Sequence, residues 1–331
     1  MKADIFIPTS NRLAALKACL TSLNHQTLSN FHIYLVGLCF DSKVELLVRK
    51  YKNLDIEYFV QHQPGIIGAA NEALVRAKND IFVRLDDDVV LDKDWYRNLL
   101  LTYKRFPRVG GVTGPTLMSE AGLKSRDLTT FLENFKKSNN PLLGLLNWVY
   151  QDYIYENKIF EVSRFLDSGA FTLGTNYSSC LKIKQLVDVD TLEACNWSCR
   201  TALLRQVGGF DTIYLKGLGD YHEADIPFKI RKIGFRTVFD PKVILKHNVE
   251  VGKVTKARPA SYYRIQNFII FYSRHIKFTS KRKILRFSCN LLLQNLYYVY
   301  RFLTTGNVSQ LGAIPGTVVG IFHIYKKRLA R

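Results

Sequence analysis

Asp80-Ile81-Phe82-Val83-Arg84-Leu85-Asp86-Asp87-Asp88 is the stretch that decides the fold. Its first six residues read as a short buried strand, and the strand runs directly into three carboxylates. Three adjacent carboxylates repel one another, and the repulsion is costly unless a cation neutralises it. Hard divalent ions such as Mg²⁺ or Mn²⁺ prefer these oxygen ligands and share them with substrate phosphates. An exposed acidic loop would need no such ion. The position straight after a buried strand favours the ion-binding reading.

Outward from this point, strand and helix alternate. Residues 4–8 read as a strand, 13–23 as a helix, 31–38 as a strand, 43–51 as a helix, 56–60 as a strand and 65–77 as a helix started by glycine. This alternation predicts an α/β fold with a largely parallel central sheet and helices on both faces. Ligands in such sheets sit beyond the carboxyl ends of the strands. Pro8-Thr9-Ser10-Asn11 and Asp86-Asp87-Asp88 both fall there and line one expected crevice. Pro8 and Thr9 are also ordinary turn residues, and Gly65 and Gly68 also simply start a helix. From Pro115 to about Cys195 the alternation stops, and residues 116–195 read as an acceptor or lid region. Trp148, Tyr150, Tyr153 and Tyr155 within it suit a core better than a sugar platform. Order returns with 195–211, a helix at 221–233 ended by Gly234, and strands at 235–239 and 243–247. The expected organisation is therefore a 1–258 catalytic-type domain followed by a helical 259–331 region.

Charge separates these two parts. The chain carries 47 Lys and Arg against 28 Asp and Glu, a net of +19. From Lys242 to the end there are 17 basic residues and one acidic residue, Glu250, so that tail alone holds +16. An uneven basic charge of this size points to an anionic partner, a membrane surface or a nucleic acid. Tyr262, Tyr263, Phe268 and Phe271 interleave with arginine and would suit nucleic acid, but no RNP, KH or zinc-knuckle pattern accompanies them. A membrane surface is the expected partner, and nucleic acid is not. The stretches 284–303 and 311–325 are polar-interrupted or short, the second broken by Pro315 and glycines, so surface association is expected over spanning. Met1-Lys2-Ala3-Asp4 leads straight into the first strand, and six scattered cysteines show no CxxC pair. A reduced cytosolic chain, peripheral at the inner face of the membrane, is expected, without a structural zinc site.

Further motifs occur in a telling order. They are Ile5-Phe-Ile-Pro-Thr-Ser-Asn-Arg12, then Ser22-Leu-Asn-His-Gln-Thr27, then Gly65-Ile-Ile-Gly-Ala-Ala-Asn71 and the aspartate triplet. Asn196-Trp-Ser-Cys-Arg200 follows, before Gly208-Gly-Phe-Asp211, and the series closes with Glu223-Ala-Asp225, Arg231, Gly234 and His247. As an ordered set over roughly residues 3–250, they resemble the family 2 glycosyltransferases. The resemblance implies a GT-A fold and inverting transfer of a sugar from a nucleoside diphosphate donor. By position, Pro8, Thr9, Asn11, Arg12, Gly68 and Asn71 would line the nucleotide-sugar pocket, and Asp86 and Asp87 would contact the nucleotide or donor sugar. Asp88, with His247, would hold Mn²⁺ or Mg²⁺, and Asn196 and Trp197 would meet the acceptor. Glu223 falls at the general-base position when the helix is counted back from Gly234. Counting forward from His222 puts Ala224 there instead, and Asp225 is the alternative base. Two departures stand out. Val36-Gly-Leu-Cys-Phe40 replaces the adjacent aspartates that read the base in many members, leaving Asp41 as the substitute. Ala70 stands where an arginine is frequent. The resemblance further implies a lipid-linked or glycan acceptor in surface glycan synthesis. A catalytically silent member acting through its tail is the competing reading, which the retained carboxylates and His247 disfavour.

Overall fold

The computed structural model describes residues 1–10, 12–119, 123, 140–248 and 261–329. Asn11 and the 258–259 junction lie outside the described residues. The amino-terminal half follows the alternation: β1 (Ala3–Thr9), α1 (Leu13–Asn24), β2 (Phe31–Gly37), α2 (Ser42–Val48), β3 (Asp55–Val60), α3 (Gly65–Arg76) and β4 (Ile81–Leu85). β5 (Val89–Leu91), α4 (Trp95–Arg105), β6 (Val109–Thr113) and β7 (Thr116–Met118) follow. After α5 (Pro141–Trp148) come β8 (Val187–Asp188), β9 (Asn196–Arg200), α6 (Thr201–Gln206), α7 (His222–Lys232), β10 (Arg236–Phe239) and β11 (Leu245–His247). Helices α8 (Ser261–His275), α9 (Lys281–Thr305) and α10 (Ala313–Leu329) complete the chain.

Eight strands form one sheet in the order β3-β2-β1-β4-β9-β6-β10-β8. β3, β2, β1 and β4 are mutually parallel, as are β6 and β10, while β9 runs antiparallel between β4 and β6. Alternate side chains feed two cores. Phe6, Phe82 and Trp197 face α3, α7 and α8, whereas Ile5, Ile7 and Val83 face α1 and α4. Burial on both faces explains why these strands read as continuous apolar runs rather than alternating ones. A second sheet, β5-β11-β7, was not legible as a unit in the sequence: its three-residue strands come from three distant segments.

The 259–331 region departs from the expectation of a surface helix set. Ile265, Phe268, Ile269, Phe271 and Tyr272 of α8 are buried in the same core as Phe82, Trp197 and Phe239. α10 continues through Pro315, its third residue, where an α-helix has no use for the missing N–H. Its glycines do not break it either. A Cβ at Gly316 would meet the Tyr262 carbonyl oxygen at 2.3 Å and one at Gly320 would meet Ile269 at 2.9 Å, so they form the seam against α8. As a result Val308–Lys326, contrary to the expectation above, is helical, long and apolar enough to cross a membrane by length and composition. The described part of 116–195 is mostly short turns around a small core of Ile154, Tyr155, Ile159, Leu166 and Ala170. Tyr155 is buried there, while Trp148 is half exposed and stacks on Tyr153.

Candidate active site at the carboxyl ends of the strands

β1 and β4 are adjacent parallel strands, so their carboxyl ends bring Thr9 and the aspartate triplet together. The Thr9 hydroxyl donates to Asp87 Oδ2 at 2.8 Å, and Arg12 pairs with Asp87 Oδ1 and, at 2.6 Å, with Asp88 Oδ2. Arg12 is thus a resident cation for the triplet, not a free pocket residue. Asp87 is fully buried and both its oxygens are engaged, so it holds the β1 turn to β4. Burial raises its pKa, and this outweighs Arg12 and Thr9. For Asp88 burial also raises the pKa, but His247 and Arg12 prevail and lower it.

Two antiparallel ladders complete the cluster. In β5–β11, His247 pairs with Val89, and the Asn248 N–H donates to the Asp88 carbonyl at 2.9 Å. This register sets His247 Nε2 3.2 Å from Asp88 Oδ1, a buried oxygen that makes no aligned hydrogen bond. In β4–β9, Leu85 pairs with Asn196, so the next residues outward are Asp86 and Cys195. Cys195 Sγ lies 3.5 Å from His247 Nδ1, and ligand atoms of Asp86, Cys195 and His247 all lie within 4.8 Å of one another. Burial lowers the His247 pKa, but Cys195 and Asp88 outweigh it and carry it up to about 11. Asp86, Cys195 and His247, with the unbonded Asp88 oxygen beside them, offer the kinds of ligand atoms a divalent cation takes.

Glu223 joins this cluster from the first turn of α7, which begins after Tyr221 in a left-handed conformation (φ 78°). Its carboxylate lies 2.8 Å from His222 Nδ1 and 3.9 Å from Arg84 Nη1, while Arg84 Nη2 reaches Asp86 at 3.7 Å. Burial raises the Glu223 pKa, but His222 and then Arg84 overcome it and pull it down to about 2. Asp86 and Glu223 keep 27% and 24% of their side-chain surface exposed, which makes them the most open members of the row. Arg84, His222 and Cys195 stand outside the expected site residues. An arginine inside an apolar strand was a signal, since a buried guanidinium needs partners; nothing local marked Cys195.

Other expected site residues are held by partners within the fold. Asp225 is fully buried, with Tyr214 Oη (3.2 Å), His275 Nε2 (2.7 Å) and Lys229 Nζ (2.6 Å) around its oxygens and Arg274 at 3.5 Å. It ties α7 to α8 and offers no oxygen to a substrate. Asn71 exchanges two hydrogen bonds with the Phe210 backbone, at 2.8 and 3.0 Å, and a Cβ at Gly68 would collide with Gln63 at 2.6 Å. Both position loops. Asn196 and Trp197, expected at the acceptor, are buried: Asn196 accepts from Trp95 Nε1 at 3.0 Å and donates to the Val243 carbonyl, and Trp197 Nε1 donates to the Glu223 carbonyl. Asp41 caps α2 by accepting from the Lys43 N–H at 2.8 Å, beyond the carboxyl end of β2. Pro8 lies within the β1–β2 ladder opposite Val36.

Residues 4–163 match the sequence model of the family described as glycosyl transferase family 2. No curated protein matches the chain. Among solved structures, S. aureus TarS 1-349 aligns at 13% identity over 99% of this chain and 82% of its own, with a TM-score of 0.57. The same protein in complex with UDP-GlcNAc aligns at 12% identity, over 98% and 80%, with a TM-score of 0.57. The mannosyltransferase PcManGT from Pyrobaculum calidifontis, in complex with GDP-Man and Mn²⁺, aligns at 15% identity over 97% and 87%, with a TM-score of 0.54. These likenesses establish the GT-A architecture. Residues 4–163, which hold the carboxylate-ended strand, are similar to glycosyl transferase family 2, and the solved structures share the fold.

Proposed function

We propose that the protein transfers a sugar, with inversion, from a nucleoside diphosphate donor to a hydroxyl of a lipid-linked or polysaccharide acceptor at the inner face of the cell membrane, in surface glycan synthesis. The observation that carries this reading is the unbroken row from the Asp88–His247 pair through Asp86 and Arg84 to Glu223. It sets a proton acceptor beside a cluster suited to a cation and a diphosphate. Mn²⁺ or Mg²⁺ held there would neutralise charge growing on the departing diphosphate. Arg84, between Asp86 and Glu223, would add positive charge on the same side. Glu223 would take the acceptor proton as the acceptor oxygen bonds to the anomeric carbon and the carbon–diphosphate bond breaks. A diphosphate that draws Arg84 toward itself would loosen its hold on Glu223 and raise the carboxylate's proton affinity. The nucleotide sugars bound by the TarS and PcManGT structures support the donor class.

The membrane part rests on the carboxyl-terminal helices. Leu285, Leu292, Leu296, Tyr300 and Leu303 of α9, spaced by three, four and seven, are exposed, as are Ile314, Val318, Ile321, Phe322 and Tyr325 of α10. Stripes of this kind, flanked by Lys281, Arg282, Lys283 and Lys326, suit the plane of an anionic interface, where each basic residue adds about 1 kcal/mol. α10 lies with its glycine seam on α8, which favours a surface position over a spanning one. The nucleic-acid alternative loses support because Phe268 and Phe271 are core residues.

Thermal-shift screening of nucleoside diphosphate sugars with Mn²⁺, followed by donor turnover, tests the reading, since a bound ligand raises apparent stability by mass action. One donor should stabilise the protein and be consumed in a metal-dependent manner. No donor binding across the set would refute it.

A further inference from the structure

The cation cluster has two sides, and the structure distinguishes them. His247 presents Nε2 to Asp88 and Nδ1 to Cys195. Asp88 is only 4% exposed and its other oxygen is held by Arg12. A cation shared with the diphosphate of a soluble donor must reach solvent, and of the two carboxylates only Asp86, on the Nδ1 side, is open. On that side the ladder β4–β9 places Cys195 beside Asp86, and the three ligand atoms lie within 4.8 Å of one another. For a tetrahedral ion with sulfur at 2.3 Å and nitrogen at 2.0 Å, the sulfur–nitrogen separation is about 3.5 Å. The observed Cys195 Sγ–His247 Nδ1 distance is 3.5 Å.

Resting on the reading that this cluster holds a divalent ion, we propose that Cys195 is a ligand to that ion, together with Asp86 and His247 Nδ1, and that Asp88 acts from behind by orienting the imidazole through Nε2. Carboxylate–imidazole–metal relays of this form fix the ring and raise ligand basicity. Sulfur changes the ion the site prefers. A mixed oxygen–nitrogen–sulfur set selects borderline transition ions, whereas Mg²⁺ avoids thiolate. The thiol and the imidazole Nδ1 each give a proton to solvent as the ion binds.

Titration of the metal-free full-length protein with Co²⁺, without donor, tests this. Wild type should develop a near-ultraviolet thiolate-to-cobalt charge-transfer band that saturates at one ion per chain and survives a large excess of Mg²⁺. Cys195→Ser and Cys195→Ala should both lack the band and bind Co²⁺ at least about 10-fold more weakly by equilibrium dialysis. Cys199→Ser, altering another buried cysteine toward the opposite end of β9, should keep it. Stoichiometric Co²⁺ binding by wild type without the band, or a band that persists in Cys195→Ser, overturns the proposal while leaving a metal-dependent enzyme intact. Failure of both Co²⁺ and Mn²⁺ to bind overturns the metal reading itself and the proposal with it.

Discussion

Asp225→Asn should unlock α7 from α8 without touching the chemistry. The Asp225 carboxylate is fully buried among Lys229, His275, Arg274 and the Tyr214 hydroxyl. Burial raises its pKa, but His275 and Lys229 more than compensate and lower it from 3.8 to about 2. Each unit of depression corresponds to 1.36 kcal/mol, so the charged form contributes about 2 kcal/mol. Removing one partner of a sealed ion pair costs about 3–5 kcal/mol, but Lys229 and Arg274 keep 21% and 24% of their surface and can rehydrate. The expected loss is therefore about 2–3 kcal/mol in urea unfolding at pH 7. Because the folded pKa is depressed, this contribution is complete above pH 4 and disappears as pH falls toward 2. The gap between wild type and variant should close over that window. Donor turnover by the folded variant should stay near the wild-type rate. A variant as stable as wild type at pH 7, or a gap unchanged at low pH, refutes the latch. A folded variant that has lost turnover would return Asp225 to the role of base.

Glu223→Gln should lower kcat by about 10²–10⁴-fold with donor affinity nearly unchanged, read by turnover and by donor titration. His247→Ala should weaken Mn²⁺ binding by at least about 10–100-fold, measured calorimetrically, and unchanged affinity would remove His247 from the cation cluster. Gly316→Val places a Cβ where the Tyr262 carbonyl oxygen leaves only 2.3 Å, so α10 must shift off α8; a stability loss of about 1–3 kcal/mol is expected by thermal unfolding. Binding to anionic vesicles should weaken between 0.1 M and 1 M salt, as the Debye length drops from about 10 Å to 3 Å, and salt-independent binding would show that charge plays no part.

The first half of the fold was legible because each strand there is buried on both faces and each helix has one apolar side. Local composition is then enough to mark the elements and to place Thr9 and Asp86–Asp88 at one edge. The fold adds most where a side chain's neighbour comes from far along the chain. Asn71 and Phe210 are 139 residues apart, Asn196 and Trp95 are 101 apart, and Asp225 and His275 are 50 apart. These polar groups look like site residues in a linear reading, and only the fold shows the long-range partners that hold them.

Pro315 and the α10 glycines misled for a related reason. Propensity describes an isolated helix, whereas Gly316 and Gly320 let two helices approach until packing exceeds what propensity takes away. By itself the sequence determined the alternating α/β architecture, the aspartate-ended strand and the basic tail, because these depend on composition and near-neighbour order. Tertiary structure alone decided which carboxylate is open and which is sealed, that Arg12 pairs with Asp87 and Asp88, and that Cys195 stands beside Asp86 and His247. Those outcomes depend on strand register, and a shift of one residue in β4–β9 or β5–β11 would turn the same side chains to the other face of the sheet.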